Sequence, residues 1–267
     1  MDYAELPAPP PLDSLVRCFW FLRGNDPQPE PQVIVADGRI EIILHLRDAF
    51  SRYDADGVAR RQSSVLLSGQ ILSPLRVCAN GETDIVGIRF RTAAASAVLR
   101  APLSEITQRV DALSEVVPEL GELLYAAAVR HDDPHARVAA LSDVLVRRVV
   151  RAPDPLATAA IRSLDASNAP AVARIADGYG VSARTLERKV VDATGLPPSS
   201  LRRVLRFRRA FRLLDQAPPG TWARTAASTG YFDQAHMIRD FKQFAGVAPS
   251  EFFRSDPDLA RAILAAE

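Results

Sequence analysis

Two stretches in the C-terminal half carry the residue types that bind DNA bases. The later one is "GYFDQAHMIRDFKQFAGVAPSEFF" and the earlier one is "GVSARTLERKVVDATGLPPSSL". Each contains a predicted helix whose outer face is polar or cationic. The residues of these faces are Arg184, Thr185, Glu187 and Arg188 in the earlier stretch and Gln234, His236, Arg239 and Lys242 in the later one. Arg binds guanine O6 and N7, and Gln binds adenine N6 and N7, so both faces suit base contacts in a major groove.

The two stretches are copies of one unit. When Val172 is aligned with Trp222, the copies match at an offset of 50 up to Gly180 and Gly230. One extra residue in the second copy then makes the offset 51, which pairs Leu186 with Met237 and continues through the Gly-x-x-Pro-Ser motif. Two runs of matches around a single insertion indicate an internal repeat.

Each copy is predicted to fold as helix, turn, helix. The first helices span Val172 to Gly178 and Trp222 to Thr229, and a glycine permits the tight turn that follows. Ser182 and Asp233 stand where N-caps of the second helices belong. One such unit is also a common packing corner between helices, but two in tandem favour a bipartite DNA reader.

A long helix is predicted between the copies, capped near Ser199 or Ser200 and ended by Pro218-Pro219-Gly220. Its apolar stripe consists of Val204, Phe207, Phe211 and Leu214. About 15 residues would span about 23 Å and hold two readers on one face of DNA. The arginines Arg202, Arg203 and Arg206 are candidate phosphate contacts, with capping or solubility as the alternative.

The charge distribution agrees with this division. Residues 154–255 hold 15 Lys and Arg against 9 Asp and Glu, a net charge of +6. Residues 1–153 have a net charge of −3 and residues 256–267 one of −2. Only the C-terminal block is therefore expected to meet a polyanion.

The N-terminal half changes pattern at residue 92. Residues 1–91 consist of short runs of Val, Ile, Leu and Phe separated by turns such as Asp37-Gly38 and Asn80-Gly81, which predicts a small sandwich or barrel. Residues 92–151 have helical periodicity, with Asp111 and Asp133 as predicted helix starts. These helices form either an interface between subunits or a cover for the β domain's own face.

About 100 residues, from near Asp154 to Phe253, resemble the AraC/XylS family of bacterial transcription regulators. The resemblance rests on "GVSARTLERKVVDATGLPPSSLRRVLRFRRAF" and above all on "AASTGYFDQAHMIRDFKQFAGVAPSEFF". It implies base contacts by Arg184, Glu187 and Arg188 in the earlier stretch and by Gln234, His236 and Arg239 in the later one. Val190 departs from the family, in which many members have Phe at that position. The N-terminal part is similar to uncharacterised domains of such regulators, and this implies a cupin-like domain that senses a small molecule or mediates dimerisation.

The expected fold class is therefore α+β: an N-terminal β-rich, cupin-like sandwich or barrel with a helical extension, and a C-terminal all-α domain with two helix-turn-helix units joined by a long helix. The predicted parts are 1–91, a sensing or dimerisation domain; 92–151, the helical extension; 152–169, a linker and first helix; 170–255, the tandem reader; and 256–267, a tail.

Three N-terminal residues are candidates for effector binding. Glu41 and His45 share one strand face and either line a pocket or belong to a paired surface or barrel rim. Arg89 either binds an acidic effector or keeps a strand face soluble. His45 is the sole histidine in residues 1–130, which argues against a metal-binding cupin. We expect neither a metal nor another cofactor.

The sequence favours a regulator over an enzyme. It has no G-x-S-x-G, P-loop or dinucleotide motif, and Cys18 and Cys78 are too few for the cysteine cluster of an alkyl-transfer DNA repair enzyme. An architectural DNA-bending protein is the other alternative. No stretch of 18 apolar residues occurs, and the acidic, proline-rich start lacks the features of a secretory signal. A cytoplasmic, nucleoid-associated protein is expected, with double-stranded DNA as partner and RNA polymerase, a small-molecule effector and a second copy as further candidates.

Overall fold

The N-terminal part contains two antiparallel sheets. The computed structural model describes residues 1–26, 29–149, 151–216, 221–255 and 258–265. Its strands are β1 (Asp2–Pro7), β2 (Val16–Asn25), β3 (Gln32–Ile34), β4 (Glu41–His45), β5 (Ser51–Tyr53), β6 (Ala59–Arg61), β7 (Val65–Ser68), β8 (Leu75–Cys78), β9 (Glu82–Phe90) and β10 (Val110–Ala112). The larger sheet has the order β1-β2-β9-β4-β7-β10 and the smaller one the order β3-β8-β5-β6. The predicted β-rich sandwich is confirmed.

The helices alternate with short connections after residue 95. They are α1 (Ser96–Leu99), α2 (Leu113–Val116), α3 (Pro118–Ala128), α4 (Pro134–Arg148), α5 (Pro155–Leu164), α6 (Val172–Gly178), α7 (Ala183–Thr194), α8 (Pro198–Asp215), α9 (Trp222–Ser228), α10 (Gln234–Ala245), α11 (Pro249–Phe252) and α12 (Asp258–Ala265). Among the described residues, no helix combines the length and the apolar character that crossing a bilayer requires.

The helices α3 and α4 cover the outer face of the larger sheet. Leu124 and Leu141 pack there in one core with Phe19, Ile42 and Ile88 of the strands. Burial of this apolar face stabilises the domain, because a half-buried sheet needs a second layer. On the outer side of the two helices, Leu123, Val129 and Val146 remain exposed.

Two predicted helix starts have different outcomes. Asp133 is the N-cap of α4, and its carboxylate accepts a hydrogen bond from the amide of Ala136 at 2.8 Å. Asp111 is not a helix start, because it lies in β10 and pairs with Leu67 at the edge of the larger sheet. The β-ladder takes this segment before the helical periodicity begins at Leu113.

The helices of the C-terminal part reproduce the internal repeat. The first helices of the two copies, α6 and α9, begin and end at an offset of 50, whereas α7 and α10 do so at an offset of 51. The single extra residue therefore lies in the turn of the second copy. The repeat inferred from the sequence is a structural repeat.

The long helix α8 is central to the C-terminal part. It has 18 residues and spans about 27 Å, more than the sequence suggested. It begins at Pro198 after Pro197, so the predicted caps Ser199 and Ser200 lie inside it. A proline at N1 suits a helix start because its missing amide hydrogen would have no partner there. The predicted stop at residues 218–220 lies outside the described residues.

The two halves of the chain share a core. Val35, Ala36 and Ile71 of the N-terminal part pack in one cluster with Val204 and Phe211 of α8. The helix α12 joins the same cluster through its buried Ala260 and Leu264. The long helix thus contacts the β domain as well as both repeats.

Candidate nucleic-acid interface

The turns between the paired helices require glycine. Gly180 has φ +67° and Gly230 has φ +83°. Both values lie in the left-handed region, where a β-carbon is strained, so glycine gives the tight connection at low cost. The two second helices, α7 and α10, therefore leave their turns with the same local geometry.

Each second helix has the predicted N-cap. The Ser182 hydroxyl accepts a hydrogen bond from the Thr185 amide at 3.1 Å, and the Asp233 carboxylate accepts one from the His236 amide at 2.6 Å. These bonds satisfy one of the free amides at each helix start. They fix where the first turn of α7 and of α10 begins, and hence which side chains point outward.

The inner faces of α7 and α10 are completely covered. Leu186 and Val190 of α7, and Met237 and Phe241 of α10, are fully buried at i and i+4. The smaller Val190 is accommodated at full burial, so the departure from the family's usual phenylalanine leaves that core closed. This packing orients the opposite faces toward solvent.

The outer faces present free polar groups. Six of the eight predicted DNA-binding side chains on these two faces are exposed, and none of these six makes a hydrogen bond or ion pair within the described part of the chain. They are Arg184, Glu187, Arg188, Gln234, Arg239 and Lys242. Thr185 is half-buried, and its hydroxyl lies 2.9 Å from that of the capping Ser182.

The His236 side chain contacts Arg206 and Tyr231. Its Nε2 atom lies 3.0 Å from Nη2 of Arg206, and its ring meets the ring of Tyr231 edge-on at 5.2 Å. Burial and the Arg206 charge lower the pKa of His236, so the imidazole is neutral and its Nε2 accepts the arginine's hydrogen bond. The side chain predicted as a base contact therefore also joins α10 to α8.

Buried ion pairs attach α8 to the second unit. Asp240 of α10 accepts hydrogen bonds from Arg203 at 2.7 Å and from Arg206 at 2.8 Å. The Asp240 side chain is 3% exposed and that of Arg206 is 12% exposed. The Arg206 guanidinium also stacks 4.0 Å from the centre of the Tyr231 ring. The interpretation of Arg206 as a phosphate contact needs correction, because its charge is directed into the protein.

Other arginines of α8 attach it to the region before the first unit. Arg202 donates to the carbonyl oxygens of Ala169 and Pro170 at 2.5 and 3.3 Å. Arg208 and Arg209 both donate to the Asp165 carboxylate, at 3.1 and 2.6 Å. Neither the phosphate role nor the solubility role predicted these bonds. The signal in the sequence was Asp240, the sole carboxylate of α10 and a member of its apolar face.

The sequence interpretation also missed Phe232. This side chain is 93% exposed and directly precedes Asp233, the N-cap of α10. It lies in the turn that contains the extra residue of the second copy. The one-residue insertion in this turn is the sequence feature that could have drawn attention to Phe232.

A cavity lies between the two sheets. Its volume is about 90 Å³, and Trp20, Glu41, His45 and Phe50 are among its lining residues. The surface or rim alternative for Glu41 and His45 is wrong, because both are buried on the inner face of β4. Burial lowers the pKa of His45, whose Nδ1 atom lies 3.1 Å from the Ser63 carbonyl oxygen, so the ring is neutral.

Arg89 is buried beside this cavity. It is 1% exposed and pairs with Glu41 at 2.5 Å and with Glu5 at 2.8 Å. The Trp20 indole donates to the other Glu41 oxygen at 3.2 Å. The explanation that Arg89 keeps a strand face soluble is therefore wrong, because its charge is neutralised inside the protein.

Known domain families match both the N-terminal and the C-terminal part of the chain. Residues 4–111 match a domain family of unknown function, DUF6597, and residues 175–255 match a helix-turn-helix domain. No curated protein matches the chain.

Several solved structures are similar to the chain. Apo ToxT from Vibrio cholerae is 17% identical over 88% of this chain and 97% of its own, with a TM-score of 0.47. ToxT bound to an unsaturated fatty acid is 14% identical over 86% and 96%, with a TM-score of 0.44. An AraC-type regulator from Chromobacterium violaceum is 26% identical over 39% and 93%, with a TM-score of 0.35.

Two capped helices with free polar faces, each packed on a short first helix, define a DNA-binding helix-turn-helix protein. The resemblance found in the motifs is confirmed: the chain is a DNA-binding transcription regulator whose C-terminal domain is of the AraC type and whose N-terminal part matches DUF6597.

Proposed function

We propose that α7 and α10 enter two major-groove segments of one DNA site. The observation that carries this proposal is the set of six exposed side chains that have no partner among the described residues and that project from two copies of the same helix. Arg184, Arg188 and Arg239 suit guanine, Gln234 suits adenine, and Glu187 can accept from cytosine N4. Lys242, one turn after Arg239, is placed for a phosphate.

The role of α8 in this proposal is to fix the distance between the two reading helices. Its arginines hold carbonyl and carboxylate groups of both units, so the units cannot rotate freely about a linker. A fixed spacing makes the two half-sites of the DNA geometrically dependent on each other. Arg203, which is 41% exposed despite its bond to Asp240, can still approach a phosphate.

Phe232 is proposed as an apolar contact beside the second reading helix. A nearly fully exposed phenylalanine gains free energy if its ring leaves water against a thymine methyl group or a deoxyribose. Its position before the N-cap of α10 puts it at the end of the helix whose early residues meet base edges.

The N-terminal domain is proposed to control this reader rather than to catalyse a reaction. Its cavity and its shared core with α8 support a sensing role for residues near Glu41, His45 and Arg89. The exposed Leu123, Val129 and Val146 support a second copy of the chain as partner, and a promoter-bound regulator has RNA polymerase as its natural target. This role assigns the protein to the cytoplasm and the nucleoid and needs no cofactor.

The test is selection of binding sites from a random duplex library with the full chain, followed by the variant Arg239→Ala. We expect a two-part motif, and the variant should weaken binding to the preferred site by about 1–3 kcal/mol and relax one position. Arg162→Ala is the matched control, because Arg162 is an exposed arginine on α5, beside the N-terminal domain. Equal loss of affinity on all DNA sequences would mean that Arg239 contacts a phosphate instead of a base. A single short motif would refute the proposal that two helices read the site.

A further inference from the structure

The helix α12 contacts both domains through two different faces. Ala260 and Leu264 are buried at i and i+4 in the core of the second unit and α8. Leu259 and Ile263, also at i and i+4, line the cavity between the two sheets. A helix that follows the DNA-binding domain in the chain therefore forms part of the wall of a cavity in the N-terminal domain.

With α12 in place the cavity is too small for an ordinary effector. Its volume is about 90 Å³, whereas a cavity of about 150 Å³ is what admits benzene. Binding sites for small molecules usually measure about 300–1,000 Å³. A ligand larger than a few water molecules therefore needs the space that Leu259 and Ile263 now fill.

The walls identify the chemistry of such a ligand. Ile34, Ile43, Val77 and Ile85 are among the apolar lining residues. Arg89 next to the cavity already has two carboxylate partners, so an anionic ligand would add a third negative charge. Arg89 thus offers no uncompensated charge to a carboxylate or phosphate. Arg39, which lines the cavity, shares its wall with the carboxylates of Asp37 and Glu41.

One hydrogen-bond donor remains available beside Ile263. The Arg89 Nη1 atom lies 3.5 Å from the Ile263 carbonyl oxygen, and Arg89 Nη2 is buried without a partner in the described residues. A buried donor without an acceptor is unfavourable, and a ligand oxygen would satisfy it.

We infer that this cavity binds an uncharged, apolar molecule with one oxygen acceptor. In the absence of this ligand, Leu259 and Ile263 of α12 fill the space that it would occupy. The inference rests on the proposed sensing role of the N-terminal domain and names the ligand class and the segment that gates the site. Ligand and α12 compete for the same apolar walls. Because α12 is also tied to α8 by Arg261 and Asp215 at 2.7 Å, its displacement changes how the reader is held.

The test measures binding of the neutral fluorescent dye 6-propionyl-2-(dimethylamino)naphthalene, which has one carbonyl oxygen, to the full chain. Its location is read from energy transfer, because Trp20 lines the cavity and becomes the sole tryptophan in a Trp222→Phe background. The test variant is Leu259→Ala with Ile263→Ala, which shortens the two side chains in the cavity. Ala260 and Leu264 stay in place, so α12 keeps its attachment to the reader.

The double variant should bind the dye about tenfold more tightly, which corresponds to α12 leaving the cavity of the parent protein in about one molecule in ten. Val58→Ala, at an exposed valine outside the cavity, is the control and should leave the dye affinity unchanged. Truncation after Ser255 should act in the same direction as the double variant, and hydrogen exchange of α12 in the parent protein should increase when the dye binds.

Two results would overturn the inference. Weaker or equal binding in the double variant means that Leu259 and Ile263 are a wall of the site and not its competitors. Absence of energy transfer from Trp20 in every variant means that the cavity takes no such molecule. Neither result bears on the proposed DNA binding by α7 and α10, because the binding-site selection tests that proposal separately.

Discussion

The change Asp240→Asn tests whether the arginines of α8 are structural. The substitution keeps the shape of the side chain but removes the charge that Arg203 and Arg206 share. Arg206, at 12% exposure, would then lie partly buried without its anionic partner. Such a loss is destabilising because a desolvated charge has no compensation from water.

The expected magnitude follows from the exposure of each partner. A hydrogen bond to a charged, buried partner contributes about 1.5–3 kcal/mol, which applies to Arg206. Arg203 has 41% of its side chain exposed, so water screens its pair and its share is below about 1 kcal/mol. Stacking on Tyr231 persists in the variant. The sum is about 3 kcal/mol of lost stability, confined to the second unit.

Trp222 gives a local readout of this loss, because it belongs to α9 and packs in the core of the second unit. In a Trp20→Phe background, urea unfolding followed by its fluorescence should show a midpoint lowered by about 1.5 M, for a slope of about 2 kcal/mol per M. Asp192→Asn, the same change at an exposed carboxylate of α7, should leave the midpoint in place. An unchanged midpoint for Asp240→Asn, with a steeper salt dependence of DNA binding, would refute the structural role of Arg203 and Arg206. It would indicate that both arginines contact phosphates.

Two further predictions concern the surface. Phe232→Ala should leave unfolding unchanged, since the ring is exposed, yet weaken DNA binding by about 1 kcal/mol, with Val58→Ala as an exposed control; equal affinity would exclude the contact. The hydrogen bond from Lys189, then the cap bond to Ala157, lower the pKa of Asp154, so this carboxylate stabilises α5 above its unfolded pKa of about 3.9 and the contribution is lost as the pH falls through the lowered value. Asp154→Asn should therefore cost about 0.5 kcal/mol in unfolding at pH 7 and nothing in strong acid; a constant difference would contradict the ion pair.

The parts of the fold that the sequence predicted well depend on local rules. The caps Ser182 and Asp233, and the turns at Gly180 and Gly230, each follow from interactions within four residues along the chain. The repeat then doubled the signal, because both copies had to satisfy the same rules. The helix start predicted at Asp111 was wrong because of a non-local interaction. Aspartate is a suitable N-cap residue, but the backbone of Asp111 pairs with β7, which lies more than forty residues away in the sequence.

The partners of charged side chains could not be predicted in this way. An arginine on a helix has the same local signature whether it faces phosphate or a buried carboxylate. Asp240 and Arg206 are 34 residues apart, and Glu41 and Arg89 are 48 apart. Only the tertiary structure brings these pairs together, so the phosphate role of Arg206 and the solubility role of Arg89 were reasonable from sequence and wrong in the fold.

The density of arginine on α8 has a physical explanation in these partners. A helix that contacts two readers and a β domain has little surface left for water, so cations that it buries need carbonyl and carboxylate acceptors within the protein. Asp165, Ala169 and Asp240 provide such acceptors. A signal that alters the packing of Val35 or α12 against α8 therefore reaches a helix whose position fixes both readers at once. If the N-terminal domain controls DNA binding as proposed, a shift of this one helix is sufficient, and no separate route to each unit is needed.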